Sequence, residues 1–257
     1  MKLGASYNVF DGEELLEGSL KQIKNCVDYI SVVYQQKSNY GDFCTKTLLE
    51  TLNNLKEKGL IDDLVEYIPS VTYGPHYNEL KKRNIGLEYS KKNNCTHHIS
   101  MDTDEYYLTE EFIRLKEKII EGDYDSSYCQ MKTYYKSWEY VITPPEEYFV
   151  PLIYKIKVNT NYQLGCQSPV LVDPTRRMVN IQNPLILKRD DLEMHHGSYI
   201  RNDIRKKLIN SSALVNFSNE VDKLITHYQN WEYPNEVFLA GNPCTLYKVN
   251  KIENNFN

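Results

Sequence analysis

The sequence predicts an α/β fold built on a largely parallel sheet. Three observations lead there. Short apolar runs rich in β-branched residues alternate with segments of helical period, turn-forming residues separate them, and the fourth strand-like run ends in the acidic "MDTDE". In open sheets of this kind ligands sit beyond the carboxyl ends of the strands, so that acidic end falls where a crevice would open.

The elements follow in order. "KLGASY" is a short apolar strand, and "DGEELLEGSLKQIKNC" places Leu15, Leu16, Leu20 and Ile23 at helical spacing, with early acids suited to the positive end of the helix dipole. "VDYISVVY" reads as a second strand leading into the turn "QQKSNYGD". "FCTKTLLETLNNLKEKG" is a helix stopped by Gly59, "LVEYIP" a third strand, "YNELKKRNIGLEYSKKNN" a third helix and "CTHHISMD" a fourth strand. Beyond them "EEFIRLKEKIIEG" predicts a helix, "SSYCQMKTYYKSWEYV" and "FVPLIYKI" predict strands, and "DIRKKLINSSALVNF" and "EVDKLITHYQNW" predict terminal helices.

The bulk composition narrows the function. The chain has 257 residues, 41% apolar and 25% charged, as in an ordinary globular protein. A net charge of −5 argues against binding a nucleic-acid backbone, and the basic runs "ELKKRN" and "IRNDIRKKL" read as solvated helix faces. Six scattered cysteines without a C-x-x-C pair read as reduced thiols. Asp11, Glu13 and Glu14 come too early for a signal peptide, and no run approaches the roughly 18 apolar residues of a membrane span. A cytoplasmic protein without a transmembrane segment is expected; oligomeric state is left open.

Asp102 and Asp104 lie one residue apart and point to the same side of an extended segment. Two hard oxygen donors so placed can hold Mg²⁺ or Mn²⁺ while leaving positions open for phosphate oxygens. An EF-hand loop starting at Asp102 would need glycine where Tyr107 stands. An aspartyl-phosphate phosphatase would carry threonine where Tyr106 stands, after a first strand rather than a fourth.

The stretches "ASYNVFDGEELL", "ISVVYQQKSNYGD" and "KKRNIGLEYSKKNNCTHHISMDTDEYY", in that order, resemble the nucleotide-binding half of GT-A glycosyltransferases of the family 2-like branch. The later "MHHGSYIR" resembles the element from which several such enzymes supply a histidine to the metal. The resemblance implies a GT-A (Rossmann-like) mixed, mostly parallel sheet flanked by helices in a single catalytic domain. Residues 1–107 would form the nucleotide-sugar-binding half, and residues 108–257 the acceptor half with C-terminal helices. It implies an enzyme that moves a sugar from a UDP- or GDP-sugar to a hydroxyl of a glycan or other acceptor, with inversion.

By the same resemblance Asn8, Gln35, Ser38, Arg83, Asn84 and Asp102 would bind the nucleotide sugar. Asp104 would ligate the metal directly, Asp102 would be a ligand or a ribose contact, and His196, or else His195, would complete the set. Imidazole tilts the metal preference toward Mn²⁺ over Mg²⁺. An inverting enzyme also needs a carboxylate base; Asp191 fits the family's order best, with Asp190, Glu193, Glu146 and Glu147 also in range. Gln35 and Gln36 stand where many relatives have acids, so the base is not specified. Trp138, Tyr134 and Tyr135 are candidates for stacking on an acceptor sugar. Two other readings stand beside this one. A sugar nucleotidyltransferase would usually have a Gly-rich, basic first turn, where "SYNVFDGEE" is acidic; an inactive carbohydrate-binding relative need not keep the acids.

Overall fold

The computed structural model describes residues 1–256. It contains twelve strands: β1 (Leu3–Val9), β2 (Tyr29–Tyr34), β3 (Asp63–Glu66), β4 (His97–Asp102), β5 (Glu105–Tyr106), β6 (Ser126–Tyr135), β7 (Ser137–Thr143), β8 (Phe149–Lys155), β9 (Pro184–Ile186), β10 (Glu193–Tyr199), β11 (Val237–Leu239) and β12 (Asn242–Lys251). Six helices accompany them: α1 (Glu13–Ile23), α2 (Leu48–Glu57), α3 (Pro75–Lys92), α4 (Thr109–Glu121), α5 (Ile204–Ile209) and α6 (Val221–Asn230).

The expected α/β fold is the fold observed. Strands β3, β2, β1 and β4 pair in that order and all in parallel. The order reverses between β1 and β4, which opens a crevice at their carboxyl ends. β1 is buried along its whole length and β2 at all but its last residue, as parallel strands covered on both faces must be. Leu16, Leu20, Leu52, Leu55, Phe112 and Leu115 from α1, α2 and α4 pack on one face with Ile99 and Met101. On the other face α3 lies against β1, and Leu87 joins Tyr128, Tyr154 and Tyr162.

The second half departs from an all-parallel pattern. β8 joins β4 antiparallel, and β6 pairs antiparallel with β8 and β7 but parallel with β9 and β10. The run "SSYCQMKTYYKSWEYV" is two strands, turned at Lys136 with φ 67°. The expected terminal helices are shorter: α5 covers six residues, and the chain ends in a β11–β12 hairpin whose outer strand extends the sheet beside β7. Their apolar residues, with Tyr135 and Ile142, form a separate core cluster. Among the described residues no helix is long and apolar enough to cross a membrane.

Gly86 sets the distance between α3 and the sheet: a Cβ there would collide with the Ser6 side chain of β1. In an open helix interior Gly→Ala is favourable by up to about 1 kcal/mol. At this position overpacking should outweigh that, and Gly86→Ala should lose about 1–2 kcal/mol of unfolding free energy in a urea titration. A gain in stability would show that α3 is free to move outward.

Candidate active site

Asn8 and Asp102 are paired neighbours at the carboxyl ends of β1 and β4, and Gln35 follows the end of β2. These ends face a cleft lined also by Asp11, Asn39, Lys82, Arg83, Asp104, Asp173, Arg201, Lys207 and Asn210. Its volume is about 130 Å³, below the roughly 300–1,000 Å³ of common ligand pockets. The closed shape comes from residues 201–212, which fold over the strand ends; Tyr40 donates to the Ser211 carbonyl across the rim at 3.0 Å.

Asp104 sits in the turn after β4, with its side chain only 2% exposed. A carboxylate so buried must be paired or neutralised. Arg201 donates to its Oδ2 at 2.5 Å and Lys207 at 3.1 Å, while His196 Nε2 lies 4.0 Å from the same oxygen. Burial alone would raise the Asp104 pKa; Lys207 and Arg201 overcome it and hold the carboxyl well below its ordinary value. Strand β10 brings these groups in. His196 pairs with Glu105 across the β10–β5 ladder, and the Gly197 amide donates to the Asp104 carbonyl at 2.8 Å. Gly12, with φ 77°, makes room for Arg201, whose guanidinium a Cβ there would strike.

Asp102 is more open and takes a different pair of cations, Arg176 at 2.6 Å and Arg83 at 3.3 Å. Desolvation opposes them, yet they keep the Asp102 pKa low. Arg176 also binds the buried Glu105, whose carboxyl burial lifts to about 7 against the pull of Arg176. Arg83 is 2% exposed and is spread over Ser100, Thr175 and Asp102. Of the arginines paired with these acids, three guanidinium nitrogens, Arg176 Nη1 and Arg201 Nε and Nη1, are buried without a partner. They are donors directed at no acceptor of the chain, which suits an anionic ligand.

The sequence-predicted residues divide accordingly. Asn8, Gln35, Arg83, Asp102 and Asp104 line the cleft together, and His196 stands beside Asp104. Asn84 does not reach it: its amide bonds Leu80, and both amide groups bond the Tyr162 backbone, fixing a loop on α3. Ser38 accepts from the Tyr40 and Asp42 amides and shapes the turn after β2. His195 points to the opposite face, where Tyr134 and Phe256 enclose it. Tyr134, Tyr135 and Trp138 are core packing rather than a sugar platform.

Asp191 lies away from the cleft, on the surface beside Lys118 of α4 at 3.3 Å. It lies in the turn before β10, at the opposite end of that strand's first half from His196. Besides Asp104, the carboxylate that acts on His196 is Glu146. Thr133 donates to it, and Thr133 is the β6 partner of His196.

Arg201 and Lys207 were not predicted. Their signal was present in "HHGSYIRNDIRKKL", where basic residues follow the histidines closely, but a charge run on a short helix resembles a solvated face.

No protein-family model matches the sequence, and no curated protein matches it. Among solved structures the chain is similar to Staphylococcus aureus TarS 1–349 in complex with UDP, at 18% identity over 52% of this chain and 36% of that one, TM-score 0.38. It is similar also to TarS 1–349, at 14% identity over 90% and 72%, TM-score 0.49, and to its complex with UDP-GlcNAc, at 21% over 52% and 35%, TM-score 0.38. The chain thus spans about a third of the length of the first of these. Likeness of this degree says nothing about function.

Replacing Asp104 by asparagine should leave the buried Arg201 and the half-buried Lys207 without this counter-charge and cost about 3–5 kcal/mol. The contribution of Asp104 is complete above its unfolded pKa near 4 and fades as the pH falls toward its depressed native value. Urea unfolding of both proteins from pH 7 down to 2.5 should therefore show the gap narrowing only below about pH 4. A gap independent of pH would mean that the pairing adds nothing.

Proposed function

We propose that this chain is a divalent-cation-dependent glycosyltransferase that moves a sugar from a UDP- or GDP-sugar to a hydroxyl of a glycan or other acceptor, with inversion. The observation that carries the reading is the meeting of Asp102 and Asp104 with Arg83, Arg176, Arg201 and Lys207 at one sheet edge. Acids serve a cation there, and cations with unpartnered N–H groups serve a diphosphate.

The donor set fits Mn²⁺ or Mg²⁺. Two ligands about 2.1 Å from one ion lie roughly 3–4 Å apart, and Asp104 and His196 are 4.0 Å apart. Burial lowers the His196 pKa although Asp104 opposes it, which favours the neutral ring that a metal needs. Among the described residues no three His, Cys, Asp or Glu side chains surround one point, so Asp104 and His196 would hold the ion with water and diphosphate completing its shell. Asp102, turned toward two arginines, is better suited to the ribose or to positioning. When bound, the cation would act as a Lewis acid on the leaving diphosphate.

The chain's own groups account for the rest. Arg201 and Lys207 receive the charge that grows on the diphosphate as the sugar–oxygen bond breaks. Glu146 takes the acceptor hydroxyl's proton as that oxygen attacks the anomeric carbon. Thr133 orients Glu146, and Arg189 holds its backbone through the Glu146 carbonyl at 2.7 Å. A sugar nucleotidyltransferase is less well supported, because the turn after β1 is acidic and filled by Arg201 rather than open for a triphosphate.

The test is release of nucleoside diphosphate from a panel of nucleotide sugars with Mn²⁺. Chelation should abolish turnover and added Mn²⁺ restore it. Lys207→Met should lower kcat about 10²–10³-fold, and Glu146→Gln about 10²–10⁴-fold, the latter with donor affinity unchanged. Absence of turnover with every donor, or a Glu146→Gln enzyme as fast as wild type, would overturn the reading or its base respectively.

A further inference from the structure

We infer that the nucleoside end of the cleft selects guanine. This rests on the nucleotide-sugar reading above and narrows it from two donor classes to one. Four amide side chains line the cleft: Asn8, Gln35, Asn39 and Asn210. In each the carbonyl oxygen is buried and has no hydrogen-bond partner. Asn8, Gln35 and Asn39 are all more than nine-tenths buried.

Three of the four are held with the oxygen free by bonds from their own NH₂ groups. Asn39 donates to Glu79 at 3.1 Å, and Glu79 is in turn held by the buried Lys82 at 3.0 Å. Asn210 donates to the Lys206 carbonyl at 3.0 Å, and Asn8 to Ser100 at 3.4 Å. Turning Asn39 over would set its oxygen against the Glu79 carboxylate, acceptor on acceptor. The same holds for Asn210 and its carbonyl partner. Gln35 has no partner on either amide atom among these bonds and can meet whatever edge the base presents.

A site with several fixed acceptors calls for a ligand rich in donors, since buried oxygens left unpaired are costly. Ribose hydroxyls supply part of that. Among the bases, guanine contributes most, with an imino N–H and an adjacent amino group on one edge. Uracil offers a single imino N–H between two carbonyl oxygens, and so brings more acceptors than donors to a site already rich in acceptors. Adenine and cytosine each bring one amino group beside a ring acceptor. A polar site discriminates strongly against a ligand that leaves its groups unpaired.

Calorimetric titration with GDP, UDP, ADP and CDP in the presence of Mn²⁺ tests this. GDP should bind at least about tenfold more tightly than the other three. Asn39→Leu should weaken GDP by about tenfold while inorganic pyrophosphate binds as to wild type, which also shows that the variant is folded. UDP binding as tightly as GDP, or an Asn39→Leu protein with undiminished GDP affinity, would overturn the guanine assignment and leave the glycosyltransferase reading standing. Binding of none of the four would overturn both.

Discussion

The rest of the site depends on one buried carboxylate. Asp104 has almost no contact with water, and its charge persists because Arg201 and Lys207 approach the same oxygen. Such a pair adds little net stability over an apolar contact, since desolvation offsets most of the attraction. What it does is fix geometry. Either partner left alone would be a bare charge in the interior, so the chain after β10 is obliged to return to the carboxyl edge of the parallel strands. That obligation closes the cleft, and the Tyr40–Ser211 bond fastens the far rim.

The second half of the chain is the means of meeting the obligation. β6 runs through it for ten residues, with β8 and β7 on one edge and β9 and β10 on the other. Its parallel pairing with β10 delivers His196 beside the turn that carries Asp104, and the Gly197 amide bonds that turn directly. The same pairing sets Thr133 level with His196, and through Thr133 the carboxylate of Glu146. Acid, imidazole and candidate base therefore share one face because two strands share one register.

How much of this the sequence disclosed follows from where each signal resides. The parallel strands were legible because burial on both faces forces a continuous apolar run, as in "YISVVY". The acids at the end of β4 were legible because charge directly after such a run has few structural explanations. Arg201 and Lys207 were hidden. Helix α5 carries Arg205, Lys206 and Lys207 in succession, and only the tertiary fold decides that Lys207 turns inward to Asp104 while Arg205 meets the exposed Asp222. Asn84 misled in the opposite sense: within Arg83-Asn84-Ile85-Gly86 the arginine faces the cleft and the asparagine ties α3 to the loop at Tyr162. Asp191 was placed by chain order, and order says nothing of which end of a strand a residue occupies. The β11–β12 hairpin escaped because "NPCTLYKVNK" is mostly exposed and lacks apolar alternation.

Under the proposed reading a nucleotide sugar must enter a cleft that residues 201–212 narrow, and the electrostatics would let that segment give way. Lys207 and Arg201 stay on Asp104 because its carboxylate is the counter-charge of both. A diphosphate offers them more negative charge than one carboxylate, and a dication offers Asp104 more positive charge than one ammonium. Exchange of partners keeps every charge paired, so the segment can shift without exposing a bare ion to the interior. The unpartnered N–H groups of Arg201 and Arg176 would favour that exchange, since a bound diphosphate would supply acceptors they lack. On that reading the residues that narrow the cleft would also be the ones that hold its contents, and the same charges would couple binding to closure.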